Sequence, residues 1–171
     1  MSKNFFVRTE SDPDSSVIGA SVLWTIENFL DRKEEIGQSI LSPSFRVKHT
    51  CSKVTKWQIQ LYPRGDSAST DNGHHGHYVS VFLRGNSDIR KDHLDVSVSI
   101  VDCNLNRTHE TKLHHKLNTM KVFENENRCY GESKVFLRWD ISFDGEFGDE
   151  SEILLPGKSL TLAFKINVSA H

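Results

Sequence analysis

Two short tryptophan-centred segments, in which large apolar residues alternate with polar ones, constrain this chain more than any other feature. In Leu23-Trp24-Thr25-Ile26-Glu27-Asn28-Phe29, Trp24 and Ile26 share one side and Thr25 takes the other. In Trp57-Gln58-Ile59-Gln60-Leu61-Tyr62, Trp57, Ile59 and Leu61 share one side, with Gln58 and Gln60 opposite. A repeat of two marks a strand with one buried face, because successive Cβ atoms leave a pleated strand on opposite sides. The alternation returns in bursts at 23–29, 39–46, 56–62, 77–84, 94–102, 117–123, 135–139 and 159–168. About eight strands separated by turn-forming stretches predict an all-β fold, an antiparallel β-sandwich.

The connections carry turn chemistry. Pro63-Arg64-Gly65-Asp66 closes the strand of Trp57, residues 67–76 form a polar loop, and Pro156-Gly157 turns into the last strand. Residues 31–37 offer a short helix-like turn, and 142–153 read as loop because Gly145 and Gly148 disfavour helix. Residues 1–20, rich in Ser, Asp and Glu with Pro13 and little periodicity, read as a flexible leader before a domain at 21–169. Trp24, Phe29, Phe45, Trp57, Ile59, Leu61, Val81, Ile100, Leu160, Leu162 and Phe164 are the expected core. Trp139 and Phe143 are expected to be partly buried under the acidic loop.

Length and charge bound the function. A chain of 171 residues supports one domain with a real core, since a domain near 150 residues buries about 68–70% of its unfolded surface. Net charge is −2, with 26% charged residues of interspersed sign, which is neither a nucleic-acid footprint nor a polybasic membrane patch. No apolar run reaches the ~18 residues of a membrane span, and the first residues lack a signal-peptide pattern. A nuclear or cytoplasmic protein is expected, without nucleic-acid or membrane partners. Cys51, Cys103 and Cys129, odd in number and irregularly spaced, read as reduced thiols.

Nothing in the pattern points to catalysis. His74-His75-Gly76-His77 and His114-His115 lack the spacing of closed metal sites, so no metal or other cofactor is expected. Neither the G-x-S-x-G elbow nor a phosphate-cradling glycine loop occurs. Asp144, Glu146, Asp149, Glu150 and Glu152 read as a solvated acidic loop, and the chain is not expected to be an enzyme.

The order of motifs is informative. Trp24 to Phe29, Ser42-Pro43-Ser44-Phe45, Trp57 to Gly65, Tyr78-Val79-Ser80-Val81-Phe82-Leu83 and Leu154 to Leu162 together resemble the MATH domain, the sandwich also called the TRAF homology domain. Arg32-Lys33-Glu34-Glu35-Ile36-Gly37 and Ser42 to Phe45 resemble its speckle-type POZ protein branch. The resemblance runs from Val22 to Val168 and implies protein recognition without catalysis. In that branch the domain captures substrate proteins through short linear peptides, as the recognition part of a cullin-RING ubiquitin ligase adaptor. A separate BTB domain engages the scaffold. No BTB domain lies within these residues, so ligase assembly depends on one elsewhere in the full-length protein, and this chain is expected to be a monomer.

The resemblance also implies a peptide groove at a sheet edge. Its aromatic wall falls on Phe82 and on Val96, and a loop carrying backbone contacts falls on Arg128-Cys129-Tyr130-Gly131-Glu132-Ser133, with a further wall residue near Lys121 or Val122. Glu132, standing where the branch has an aromatic, favours a basic or hydroxyl-bearing peptide position. On this reading Tyr130→Ala loses binding without loss of fold. Two alternatives stay open: a TRAF-like module binding receptor tails, and the targeting domain of a deubiquitinase or metalloprotease encoded elsewhere.

Overall fold

The computed structural model describes residues 4–11, 17–48, 54–66, 76–86, 94–102, 104–116, 128–138, 141 and 158–169. Ten strands are found there: β1 (Phe5–Ser11), β2 (Val17–Ile26), β3 (Ile40–Leu41), β4 (Phe45–Lys48), β5 (Val54–Tyr62), β6 (Tyr78–Asn86), β7 (Leu94–Val101), β8 (Arg107–Lys116), β9 (Arg128–Leu137) and β10 (Leu160–Ser169). A single 3-10 turn covers Phe29–Asp31. No helix among the described residues is long and apolar enough to cross a membrane.

The strands follow the order β1-β2-β10-β7-β8-β9-β6-β5-β3, with β4 also on β5. All the pairings are antiparallel. Strand β8 belongs to both layers of the sandwich: Arg107 to Leu113 pair with β7, and His114 to Lys116 pair with β9. The seam of the sandwich therefore lies at β8, and its open side lies between β1–β2 and β3–β5.

Between the layers, Val22, Trp24 and Ile26 of β2, Val96, Val98 and Ile100 of β7 and Leu160, Leu162, Phe164 and Ile166 of β10 join one cluster. Trp57, Ile59 and Leu61 of β5 and Val79, Val81 and Leu83 of β6 supply its other half. Each set has the two-residue spacing that sends one face inward. All eleven expected core residues are in it.

The expected 39–46 strand is split into β3 and β4, because Ser42-Pro43 interrupts the ladder. Ser42 repairs the break. Its N–H donates to the Ile59 carbonyl at 2.9 Å, and its Oγ accepts from the Ile59 N–H at 2.9 Å while donating to the Pro43 carbonyl. Ser42→Ala should strand a buried amide and lower stability by about 1–3 kcal/mol, measurable as a shift of the urea midpoint. An unchanged midpoint would mean that water replaces the hydroxyl.

Three expectations differ from the structure. Residues 1–20 were expected to be flexible, yet β1 and the first part of β2 lie there. Phe5 and Val7 pack against the core while Phe6 faces outward, an alternation too short to stand out beside the Ser- and Asp-rich stretch. Strand β8 was not expected at 107–116, because its inward apolar residue is Leu113 and a bulge at His109, with φ of 52°, interrupts the repeat. Strand β9 starts at Arg128, well before the expected 135. The expected strand at 117–123, the loop at 142–153, Trp139, Phe143, Lys121, Val122, Cys51, Cys103, His74 and His75 lie outside the described residues.

Candidate functional site

The outer face of β5, β6 and β9 gathers part of the expected groove. Register places Gln60 beside Phe82, Phe82 beside Gly131, and Gly131 beside His114 in one row across the sheet. Phe82 points away from the main core and packs edge-on against Tyr62, ring centroids 5.7 Å apart at 85°. The Phe82 ring lies directly over Gly131, where an added Cβ would sit 2.3 Å from Phe82 Cδ1 and 2.5 Å from the Val81 carbonyl oxygen. Absence of a side chain at 131 is therefore what lets the aromatic lie flat across β9. Phe82 is 5% exposed, so the ring is a covered wall and not an open one.

A polar clip stiffens the neighbouring row. The Ser80 hydroxyl donates to the Ser133 carbonyl at 2.6 Å and accepts from the Asp66 N–H at 2.9 Å, while the Ser133 hydroxyl donates to Asp66 Oδ2 at 3.0 Å. The turn after β5 is thus tied to β6 and β9 through buried groups, which hydrogen bonding makes tolerable. Gln60 donates to Ser39 Oγ and to the Tyr62 hydroxyl, both at 2.8 Å. Arg138, just past β9, donates to the carbonyls of Pro63 at 2.9 Å and Leu30 at 3.3 Å. Burial, with Arg64 close by, lowers its pKa from the usual arginine value.

Not all the expected site residues converge. Val96 is fully buried on β7, paired with Ile166 and Leu113 in the other sheet, because it shares the inward face of Val98 and Ile100. It is a core residue and takes no part in this face. Tyr130 is 2% exposed and packs on Trp57 with centroids 6.1 Å apart, so it too faces inward. The backbones of Arg128 and Cys129 are strand, opposite Gly85 and Arg84. Glu132 is half-buried opposite Val81, where β9 bulges before Phe136 rejoins Val79.

Sequence reasoning missed Tyr62, Gln60 and Asp66. One signal was present: Tyr62 is an aromatic on the otherwise polar side of an alternating strand, which calls for a covering partner on that face. The edge of β9 is the other feature of the site. Strand β8 pairs with β9 at Cys129 to Gly131, and among the described residues no strand pairs with that edge from Ser133 to Leu137. A sheet edge of this kind can receive an extended segment through its main chain.

This architecture is an antiparallel β-sandwich, and comparison with known proteins places it in a class. The family model described as the MATH domain matches residues 21–144. The chain belongs to the MATH domain family. Among solved structures it is similar to TRAF5 of Notothenia coriiceps, with a TM-score of 0.59 and 15% identity over 88% of this chain and 74% of that one. At this identity the likeness is one of fold. Domains of this class are protein-interaction modules, generally without catalytic activity.

Proposed function

We propose that this domain binds extended peptides of substrate proteins as an added strand along β9, beside Phe82 and Gly131. The role is that of the substrate-recognition domain of a cullin-RING ubiquitin ligase adaptor of the speckle-type branch. The observation that carries the reading is the parting of β8 from β9 after Gly131, so that among the described residues no strand runs along that side of β9 from Ser133 to Leu137. Strand addition draws affinity from main-chain hydrogen bonds and selectivity from alternate side chains. Arg128, Cys129, Gly131 and Glu132 flank the path, and delivery to a ligase would require a BTB domain in the full-length protein.

Titration of Ser/Thr-rich peptides by calorimetry is expected to give micromolar dissociation constants, about 8 kcal/mol of binding free energy. Amide exchange should slow at residues 132–137. Glu132→Phe, adding a half-buried aromatic, is expected to tighten that binding by about 1 kcal/mol, roughly fivefold. Protection on another face, or weaker binding by Glu132→Phe, would remove the assignment.

A further inference from the structure

Four parts of the chain meet at one end of the sandwich: the 3-10 turn, the turn after β5, the start of β6 and the end of β9. Arg138 joins them. Its main-chain N–H donates to the His77 carbonyl at 2.6 Å. Its guanidinium donates to the carbonyls of Pro63 at 2.9 Å and Leu30 at 3.3 Å and lies 5.7 Å from the centre of the Phe29 ring. Backbone from three sides thus fixes where that charge stands. Arg64 follows Pro63 directly and is exposed. A Cβ added at Gly76 would lie 4.0 Å from the Arg64 Cβ, so the arm of Arg64 starts beside the entry to β6, at the same corner as Arg138.

This corner holds two guanidinium groups, and among the described residues no carboxylate forms an ion pair with either. The acids close by in the chain are engaged elsewhere. Asp31 faces Lys158 Nζ at 3.8 Å, Glu34 is held by Arg32, and the Asp66 carboxylate accepts from the Ser80 and Ser133 hydroxyls. A half-buried cation ordinarily has an anion beside it, and a second cation in that place disfavours the charge further. Burial and then Arg64 lower the pKa of Arg138 from the usual arginine value, yet an arginine stays protonated in a protein. Its guanidinium has five N–H donors, of which Pro63 and Leu30 take one on each terminal nitrogen. The remainder of the fork has no hydrogen-bond partner among the described residues.

We propose that Arg64 and Arg138 form an oxyanion-binding site at this end of the sandwich, fitted to the phosphoryl or carboxylate group of a phosphorylated or acidic side chain. Arg138 supplies a fork held in place by the backbone, and Arg64 meets the anion from the solvent side. The planar fork matches two oxygens of either group, and the bound anion offsets the repulsion between the two arginines. The corner lies on the β6 side of β9, opposite the edge that β8 leaves open, and the site does not depend on the function proposed above.

The test titrates the intact, nitrogen-15-labelled chain with phosphoserine and, separately, with glutamate, each blocked at both termini, at constant ionic strength. Saturable shifts are expected at the amides of Arg64, His77 and Arg138. Response to both probes assigns the site to either oxyanion, response to phosphoserine alone to a phosphoryl group, and response to glutamate alone to a carboxylate. Arg64→Gln should weaken binding about tenfold, the worth of one charge-assisted hydrogen bond. It should melt at or above the parent's temperature, because the repulsion at Arg138 is removed. Arg138→Gln also gives up the bonds to Pro63 and Leu30 and is expected to melt lower, so Arg64→Gln carries the test. No saturable shift with either probe, shifts confined to another face, or equal affinity in Arg64→Gln overturns the proposal.

Discussion

Trp57→Ala is expected to cost about 3–5 kcal/mol, a large part of the roughly 5–15 kcal/mol that holds a domain folded. The indole is 1% exposed, touches Tyr130 and donates its Nε1–H to Thr55 Oγ1 at 2.6 Å. It also lies against the backbone of the neighbouring strand. A Cβ at Gly85 would come within 2.1 Å of Trp57 Cε3, so a side chain at 85 and the indole exclude each other. Gly85→Ala alone should therefore destabilise by about 1–3 kcal/mol through overpacking. In the Trp57→Ala background the same methyl would enter the vacated space and cost little, a coupling that a double-mutant cycle reads directly. Urea melts of the four proteins measure it. A Trp57→Ala midpoint equal to the parent's, or strictly additive losses, would show the β5–β6 register to be wrong.

The parts of the fold that were legible in the sequence are those where burial on one face imposes a two-residue repeat. Trp24 and Ile26, Trp57, Ile59 and Leu61, and Leu160, Leu162 and Phe164 announce their strands because each meets the opposite sheet. Strand β8 was not legible, since a strand at the seam buries little and reads as Arg107-Thr108-His109-Glu110-Thr111-Lys112. Nor was β1, whose two seated residues sit beside an exposed Phe6. At the candidate site, Phe82 and Gly131, both named through the resemblance, are register partners on β6 and β9. The direction of Tyr130 and Val96 depends on strand parity, and a bulge or a mistaken loop reverses parity without changing composition.

That parity changes what Tyr130→Ala should do. With Tyr130 as a wall of an exposed loop, alanine would remove binding and spare the fold. Its ring is instead inside, 2% exposed against Trp57, on a segment of β9 that pairs with Leu83 of β6 on one side and His115 of β8 on the other. Deleting it opens a cavity at the place where β8 passes from one sheet to the other. By analogy with buried aromatic truncations, the loss is expected to be about 3–5 kcal/mol. Amide exchange should accelerate together at 114–116 and 128–131, because the two strands of the seam pair at that residue. Tyr130→Phe, which keeps the ring contact, should cost far less. Loss of peptide binding in Tyr130→Ala would then report a loosened seam, whereas a change at Glu132, half-buried at the bulge, alters the edge of β9 while leaving the Trp57–Tyr130 contact in place. Thermal melting beside calorimetry separates the two. If Tyr130→Ala melts with the parent and still loses binding, the ring belongs to the groove, and Tyr130 must turn its side chain the other way.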